Sequence, residues 1–345
     1  MIALDLSLEN LYRQYIRCRK NKRNTVNALR FEALVNRSYQ PGRSVCFFTT
    51  RPKLREIFAA DFRDRVVHHV LVDYLERILE PIFIHDSWAC RKGKGVHAGV
   101  MQLQRYLRQV TANGTRPAWH LQLDIRNYFM SIDKQILLDL LAAKLKDDTA
   151  LWLTRPLVNH DCTPGYVMRG APDLLARIPP HKTLFGVAPG KGLPIGNLNS
   201  QFFANVYLNG LDQFVKHELK CRNYLRYCDD FVLLAESSEQ LTTWRGRIEA
   251  WLHEHLRLEL NPARCFFERG EFPRLHRAPR LSAGAAAGGE SFARAIGGAT
   301  TSTRRRWTSW MRCWLRTGGI SAWPTASICG SVFGAGIHFC GSFLK

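Results

Sequence analysis

The chain has 345 residues (39.5 kDa) with 46% hydrophobic content, which supports a real core and fits one large domain or two ordinary ones. Its 49 Lys+Arg against 29 Asp+Glu give a formal charge of +20 and a pI near 9.9, which selects a polyanionic partner, nucleic acid first, through counterion release. No basic amphipathic anchor or N-terminal signal pattern is visible, so no membrane partner is expected; the ten cysteines show neither a CxxC pair nor zinc-ligand spacing, which argues against a disulfide framework and for a reducing cytoplasm.

In chain order, Glu9 to Leu34 predicts a helix with a basic block of Arg17, Arg19, Lys20, Lys22 and Arg23, a candidate template-binding face. Val45 to Thr50 predicts a strand, Arg51 to Arg55 a basic turn, and Ile57 and Phe58 a return strand. From Arg63 to Leu79, Val66, Val67, Val70, Leu71, Tyr74, Leu75 and Ile78 recur at helical spacing, a core helix. Its adjacent His68 and His69 diverge, which suits packing or surface roles rather than a ligand pair. Cys90 to Gly95 mixes cations with glycines that let backbone amides approach phosphate, without the spacing of a Walker loop.

After a strand ending at Asp124, Ser131 or Asp133 can cap a helix bearing Ile136, Leu137, Leu140 and Leu141. The stretch 146–192, charged and then rich in Pro and Gly, reads as an insertion or connection. Asn199 or Ser200 then caps a helix with Phe202, Phe203, Val206, Tyr207, Leu211, Phe214 and Val215. Tyr224 to Ala235 predicts a hairpin tipped by Asp229 and Asp230. Ser237 to Gln240 matches a capping box, leading a helix whose stripe is Leu241, Trp244, Ile248, Trp251 and Leu252. A short strand, Leu256 to Leu260, completes a split β-α-β order.

His120-Leu121-Gln122-Leu123-Asp124 and Tyr227-Cys228-Asp229-Asp230-Phe231 each bring carboxylates to the end of an apolar strand. Carboxylates crowded together repel, so their convergence makes sense around divalent cations that clamp the attacking and leaving oxygens of a phosphoryl transfer. The competing reading is a plain hairpin turn, where Asp is at home.

With Gly192-Leu193-Pro194-Ile195-Gly196-Asn197-Leu198-Asn199-Ser200-Gln201 added, the chain resembles bacterial group II intron-like reverse transcriptases over 9–265, most closely those of diversity-generating retroelements. Most relatives carry glutamine in place of Ile195 and proline in place of Gln201, and the Ile-Gly-x-x-x-Ser-Gln form is typical of the diversity-generating branch. The resemblance implies an α+β right hand, with an N-terminal helix and fingers over 1–119 and a palm over 120–265. It implies two Mg²⁺ held by Asp124, Asp229 and Asp230, with the Ile125 carbonyl completing one shell. Lys53, Arg55 and Arg91 would bind the incoming triphosphate, and Phe129 would exclude a ribose 2′-hydroxyl. Gly196 would admit the nascent base pair, and Ile195 and Gln201 would line the nucleotide site. Isoleucine cannot make the hydrogen bond that glutamine can, so looser nucleotide selection is expected. Cys228 fills the variable slot of the Tyr-x-Asp-Asp motif as a packing residue. The implied partners are template RNA, the RNA/DNA hybrid, dNTPs and a small basic accessory variability protein.

The stretch 266–345 breaks the pattern: from Glu271 onward only Glu271 and Glu290 are acidic, and glycine and alanine runs replace helical periodicity. The family's primer grip and thumb are not legible there. Reading Glu271 to Gly289 one nucleotide downstream with permitted codons can yield an F-L-G-Y-containing run of the family type, so a shifted frame is expected, and with it weak or no primer extension by the chain as written. The alternatives are an intron maturase, a retron or defence-associated enzyme, and a catalytically dead RNA-binding remnant.

Overall fold

The computed structural model describes residues 4–7, 9–11, 13–14, 39–50, 53–262 and, for the backbone alone, 266–270. Most of the expected N-terminal basic helix and the tail beyond Gly270 therefore lie outside the described residues; Glu9 to Leu11, Arg13 and Gln14 are helical.

The basic hairpin forms as β1 (Val45–Thr49) and β2 (Arg55–Ala59), antiparallel, with Thr49 opposite Arg55. Helix α1 (Phe62–Leu79) follows, its start fixed by the Asp61 carboxylate accepting from the Arg63 amide. Its stripe is buried as the spacing demands, Val67, Val70, Leu71 and Leu75 among the core. His68 is buried with it, and desolvation drives its imidazole down to about 3. After α2 (Val96–Val110) comes β3 (Ala118–Asp124), then the single-turn α3 (Tyr128–Ser131) and α4 (Lys134–Ala142). Of the two candidate caps for α4, Asp133 is used: its carboxylate accepts from the Gln135 and Ile136 amides.

The stretch 146–192 is more ordered than a connection. It opens with α5 (Asp148–Asn159), capped by Asp147, which buries Ala150, Leu153, Leu157 and Val158. It then adds β4 (Val167–Met168) to β1 in parallel, giving a fingers sheet of order β2-β1-β4. Glu56 of β2, buried, accepts from Thr183 Oγ1 at 2.6 Å and from the Leu184 amide, which pins the far end of the stretch.

Helix α6 (Leu198–Gln213) begins two residues earlier than expected. Asn197 occupies the cap position, while Asn199 and Ser200 are buried inside the first turn. Asn197 does not cap with its side chain, because its Oδ1 accepts from the Ala60 amide across the fingers–palm seam (3.0 Å). The hairpin follows as β5 (Tyr224–Tyr227) and β6 (Asp230–Ala235), then α7 (Ser238–Leu256), whose cap Ser237 accepts from the Gln240 amide. The expected strand Leu256–Leu260 is not formed: Leu256 continues the helical stripe of Ile248 and Leu252, Arg257 turns left-handed, and Leu260 makes a lone bridge to Ile125. The closing strand is instead β7 (Phe266–Gly270), which pairs with β3 past the boundary expected at 265.

The palm sheet has the order β5-β6-β3-β7, antiparallel throughout, with helices between β3 and β5 and between β6 and β7. That is the expected split β-α-β arrangement, and the fold is α+β. Every residue of β6 is buried, so both faces of the strand are covered, and the run from Phe231 to Ala235 is continuously apolar for that reason.

Candidate active site

Strand register brings the separated motifs together. In the β3–β6 pair Asp124 lies directly opposite Asp230, and in the β5–β6 pair Tyr227 lies opposite Asp230, so Cys228 and Asp229 form a two-residue tip. Cys228 sits at φ 58°, a left-handed conformation that costs a non-glycine residue about 1 kcal/mol or more. The Asp229 carbonyl accepts from the Ile125 amide at 3.3 Å, which stitches the tip to the end of β3.

The carboxylates are partly desolvated: Asp124 is 3% and Asp230 9% exposed. Burial, and next the neighbouring Asp124 carboxylate, push Asp229 up to about 6, against the pull of the Arg55 guanidinium. That places Arg55, at the start of β2, within the field of the carboxylates. The site fits divalent cations by its chemistry, hard anionic oxygens brought together at the ends of β3 and β6. Among the described residues no three His, Cys, Asp or Glu side chains stand close enough together to hold an ion as they are, and Asp124 Oδ2 is taken by Asn261 Nδ2 at 2.7 Å.

The remaining predicted residues divide. Phe129, 9% exposed, lies in α3, and its carbonyl accepts from the Leu193 amide at 2.8 Å. That bond ties the strand-like run before Ile195 to the chain just after Asp124. The Ile195 carbonyl accepts from the Phe58 amide of β2 at 2.9 Å. Gly196 has φ 123°, and a Cβ there would meet Ile57 Cγ2 at 2.6 Å and the Phe58 carbonyl oxygen at 3.1 Å. Glycine is thus required by the close approach of β2, a reason the sequence did not reveal. Gln201 is half-buried in the first turn of α6, and Lys53 is exposed at the hairpin turn.

Arg91 is employed elsewhere. It bonds Glu80 Oε1 at 2.8 Å and the carbonyls of Ile84 (2.6 Å) and Ser87 (2.9 Å). Lys92 pairs with Glu76, and Lys94 donates to the His85 carbonyl at 2.9 Å and lies 4.2 Å from the Trp88 ring centre. The cations of this loop are thus paired with carbonyls and carboxylates between Glu76 and Ser87.

A family model described as Reverse transcriptase (RNA-dependent DNA polymerase) matches residues 49–290, more than half of the chain. The chain belongs to the reverse transcriptase family. The match runs beyond Gly270, into the stretch where the sequence changes character. The chain is similar to the "Uncharacterized 91 kDa protein in cob intron" of Schizosaccharomyces pombe, 27% identical over 180 residues, which are 52% of this chain and 19% of that protein. It is also similar to the "Group II intron-encoded protein LtrA" of Lactococcus lactis subsp. cremoris, 22% identical over 283 residues, covering 64% of this chain and 43% of that protein. It therefore spans less than half the length of these two relatives. Among solved structures, apo telomerase from Candida tropicalis truncated from its C-terminal domain superposes with a TM-score of 0.48 at 10% identity, over 66% of this chain and 50% of the telomerase chain.

Two residues that reasoning from sequence passed over contact Asp124 and the hairpin tip. Asn261, just after α7, grips Asp124 twice: its amide donates to the Asp124 carbonyl at 2.8 Å and its Nδ2 to the carboxylate. Arg226 lies beneath the hairpin tip, 1% exposed, in a bidentate pair with Asp212 that is 0% exposed. Burial and the Asp229 carboxylate hold the Cys228 thiol well above its ordinary range, so it packs rather than attacks. No helix among the described residues is long and apolar enough to cross a membrane.

Proposed function

We propose that the chain is an RNA-directed DNA polymerase that extends a primer by nucleotidyl transfer at Asp124, Asp229 and Asp230. The observation that carries this reading is the register that sets Asp124 opposite Asp230 with Asp229 in the adjoining turn. In the reaction the primer 3′-oxygen bonds to the dNTP α-phosphorus and the bond to the pyrophosphate oxygen breaks. Two Mg²⁺ held by the three aspartates and the Ile125 carbonyl would supply neutralisation of the charge developing on the attacking and leaving oxygens. The chain's own residues position the reactants. Arg55, exposed Lys53 and, less directly because it is bonded to Glu80, Ile84 and Ser87, Arg91 meet the triphosphate. The Phe129 ring lies under the sugar and rejects a 2′-hydroxyl by clash. Gly196 keeps β2 close, while Ile195 and Gln201 border the base.

The Ile195 form of the motif supports a diversity-generating element, in which template RNA is copied with frequent errors at adenines alongside a small basic accessory protein. The intron-related names of the two relatives support a second reading, an intron-borne enzyme. DNA flanking the gene separates them: a template repeat beside a variable target favours the first, intron boundaries the second.

The functional test is Asp229→Asn in the enzyme with the frame across 271–289 restored, beside that enzyme unchanged, on an RNA template with a DNA primer. Extension should fall at least about 100-fold, because an anionic ligand contributes several kcal/mol to the transition state, while RNA binding is retained. Undiminished extension would remove Asp229 from the chemistry. In parallel, Phe129→Ala should admit ribonucleotides, and continued exclusion would make that ring ordinary core.

A further inference from the structure

We propose that Arg226 is a positioning residue for the catalytic turn: its buried guanidinium fixes the Cys228 carbonyl and so sets the direction in which Asp229 and Asp230 leave the hairpin. The inference rests on the two-metal reading above and deepens it.

A guanidinium has five N–H groups, and here each finds an acceptor. Nε donates to Asp212 Oδ1 at 2.8 Å, and Nη2 donates to Asp212 Oδ2 at 2.6 Å and Ser87 Oγ at 3.0 Å. Nη1 donates to Asn205 Oδ1 at 3.2 Å and to the Cys228 carbonyl at 3.0 Å. Asp212 is steadied in turn by the Tyr224 hydroxyl at 2.7 Å, and Asn205 Nδ2 donates to the Ala89 carbonyl at 2.9 Å. The Arg226 backbone is clamped as well: its amide donates to the Asp86 carbonyl and its carbonyl accepts from the Trp88 amide, both at 2.9 Å. Three parts of the chain meet on one side chain: the 86–89 segment, α6 and the tip of the β5–β6 hairpin.

Two features point to positioning rather than stability. A buried ion pair is seldom a better way to stabilise a core than apolar groups of the same volume. And the one bond that reaches the tip ends on Cys228, whose φ of 58° needs an outside restraint to persist. Lysine could supply the charge but not the planar fork that serves Asp212, Asn205 and Cys228 together.

The test uses the full chain with Mn²⁺ as the probe, read by electron paramagnetic resonance, beside thermal melting, RNA binding and single-nucleotide addition at saturating dNTP. The variants are Arg226→Lys and the double change Arg226→Met with Asp212→Leu, which removes both charges at similar volume. Both should melt near the parent and bind RNA equally, yet lose about tenfold in Mn²⁺ affinity, the scale of an indirect ligand-orienting contact. Addition should fall in proportion, with KM for dNTP within about twofold of the parent, because the turn and not the nucleotide pocket is disturbed. Tyr224→Phe leaves all five Arg226 bonds in place and should match the parent. Parent-like Mn²⁺ affinity in either folded Arg226 variant overturns the proposal. So does unfolding of both, which would make Arg226 a support of the fold, and so does a Tyr224→Phe loss as large as that of Arg226→Lys. Asp229→Asn run alongside separates the two levels. If it leaves Mn²⁺ binding intact, the two-metal reading fails; if it abolishes binding while the Arg226 variants do not, only the positioning role fails.

Discussion

The two hairpin tips of the molecule treat polar groups in opposite ways. The β5–β6 tip is held from beneath by a buried arginine and from the side by the Ile125 amide, whereas the β1–β2 tip exposes Lys53 to water. The first must present carboxylates in one repeated geometry, and every support it has is internal. The second is proposed to meet a triphosphate that brings its own charge and can organise cations on arrival. The carboxylate tip carries its bracing within the fold.

If buried polar groups in the core depend on their surroundings and exposed ones do not, the effects of change should scale with depth. The largest is expected at His68, whose buried imidazole is held down to about 3 against an unfolded 6.5. A folded pKa depressed in this way leaves stability intact above pH 6.5 and removes it as pH falls toward 3, by about 3 kcal/mol at pH 4. Urea melts at neutral and acid pH should show it, and His68→Phe should flatten the profile; an equally steep profile would locate the acid sensitivity elsewhere.

Gly196→Ala comes next, at about 2 kcal/mol, because the new Cβ meets β2 and the backbone is left-handed. Hydrogen exchange should speed up at the Phe58 and Ala60 amides, which bond across this seam. Unchanged protection would mean that β2 does not depend on the glycine. Asn261→Ala should cost about 1 kcal/mol in a denaturant melt by removing a hydrogen bond to the Asp124 carboxylate. A melt indistinguishable from the parent would show that water replaces the bond at no cost. Lys53→Ala should be the mildest for the fold, within about 0.5 kcal/mol, while raising KM for dNTP severalfold. Lost stability at Lys53 would erase the contrast between the tips.

Much of the palm was legible because one physical signal decided it. Apolar stripes at helical spacing placed α1, α6 and α7, and carboxylates at the ends of apolar strands placed Asp124, Asp229 and Asp230. Where two signals competed, the reading went astray. Helix α5 was hidden by Pro156 within it and by the charged cap before it. Leu256 fitted both a strand and the next turn of α7, and the stripe of Ile248 and Leu252 prevailed. Arg226 left no trace, since in Tyr-Leu-Arg-Tyr an arginine suggests a solvent-facing position, and its partner Asp212 belongs to another element. The internal partners of Arg91 in its basic loop were likewise not legible, because composition does not show which carbonyls and carboxylates a cation meets.

Strand β2 is the last of its sheet, and such an edge offers unpaired backbone groups to any passing strand. Here the Ile195 carbonyl takes the Phe58 amide and the Asn197 side chain takes the Ala60 amide, so the loop proposed to border the nucleotide also seals the margin of the fingers. Substitutions that shift this loop should therefore favour self-association as well as altered selectivity, and in such variants solubility and fidelity should decline together.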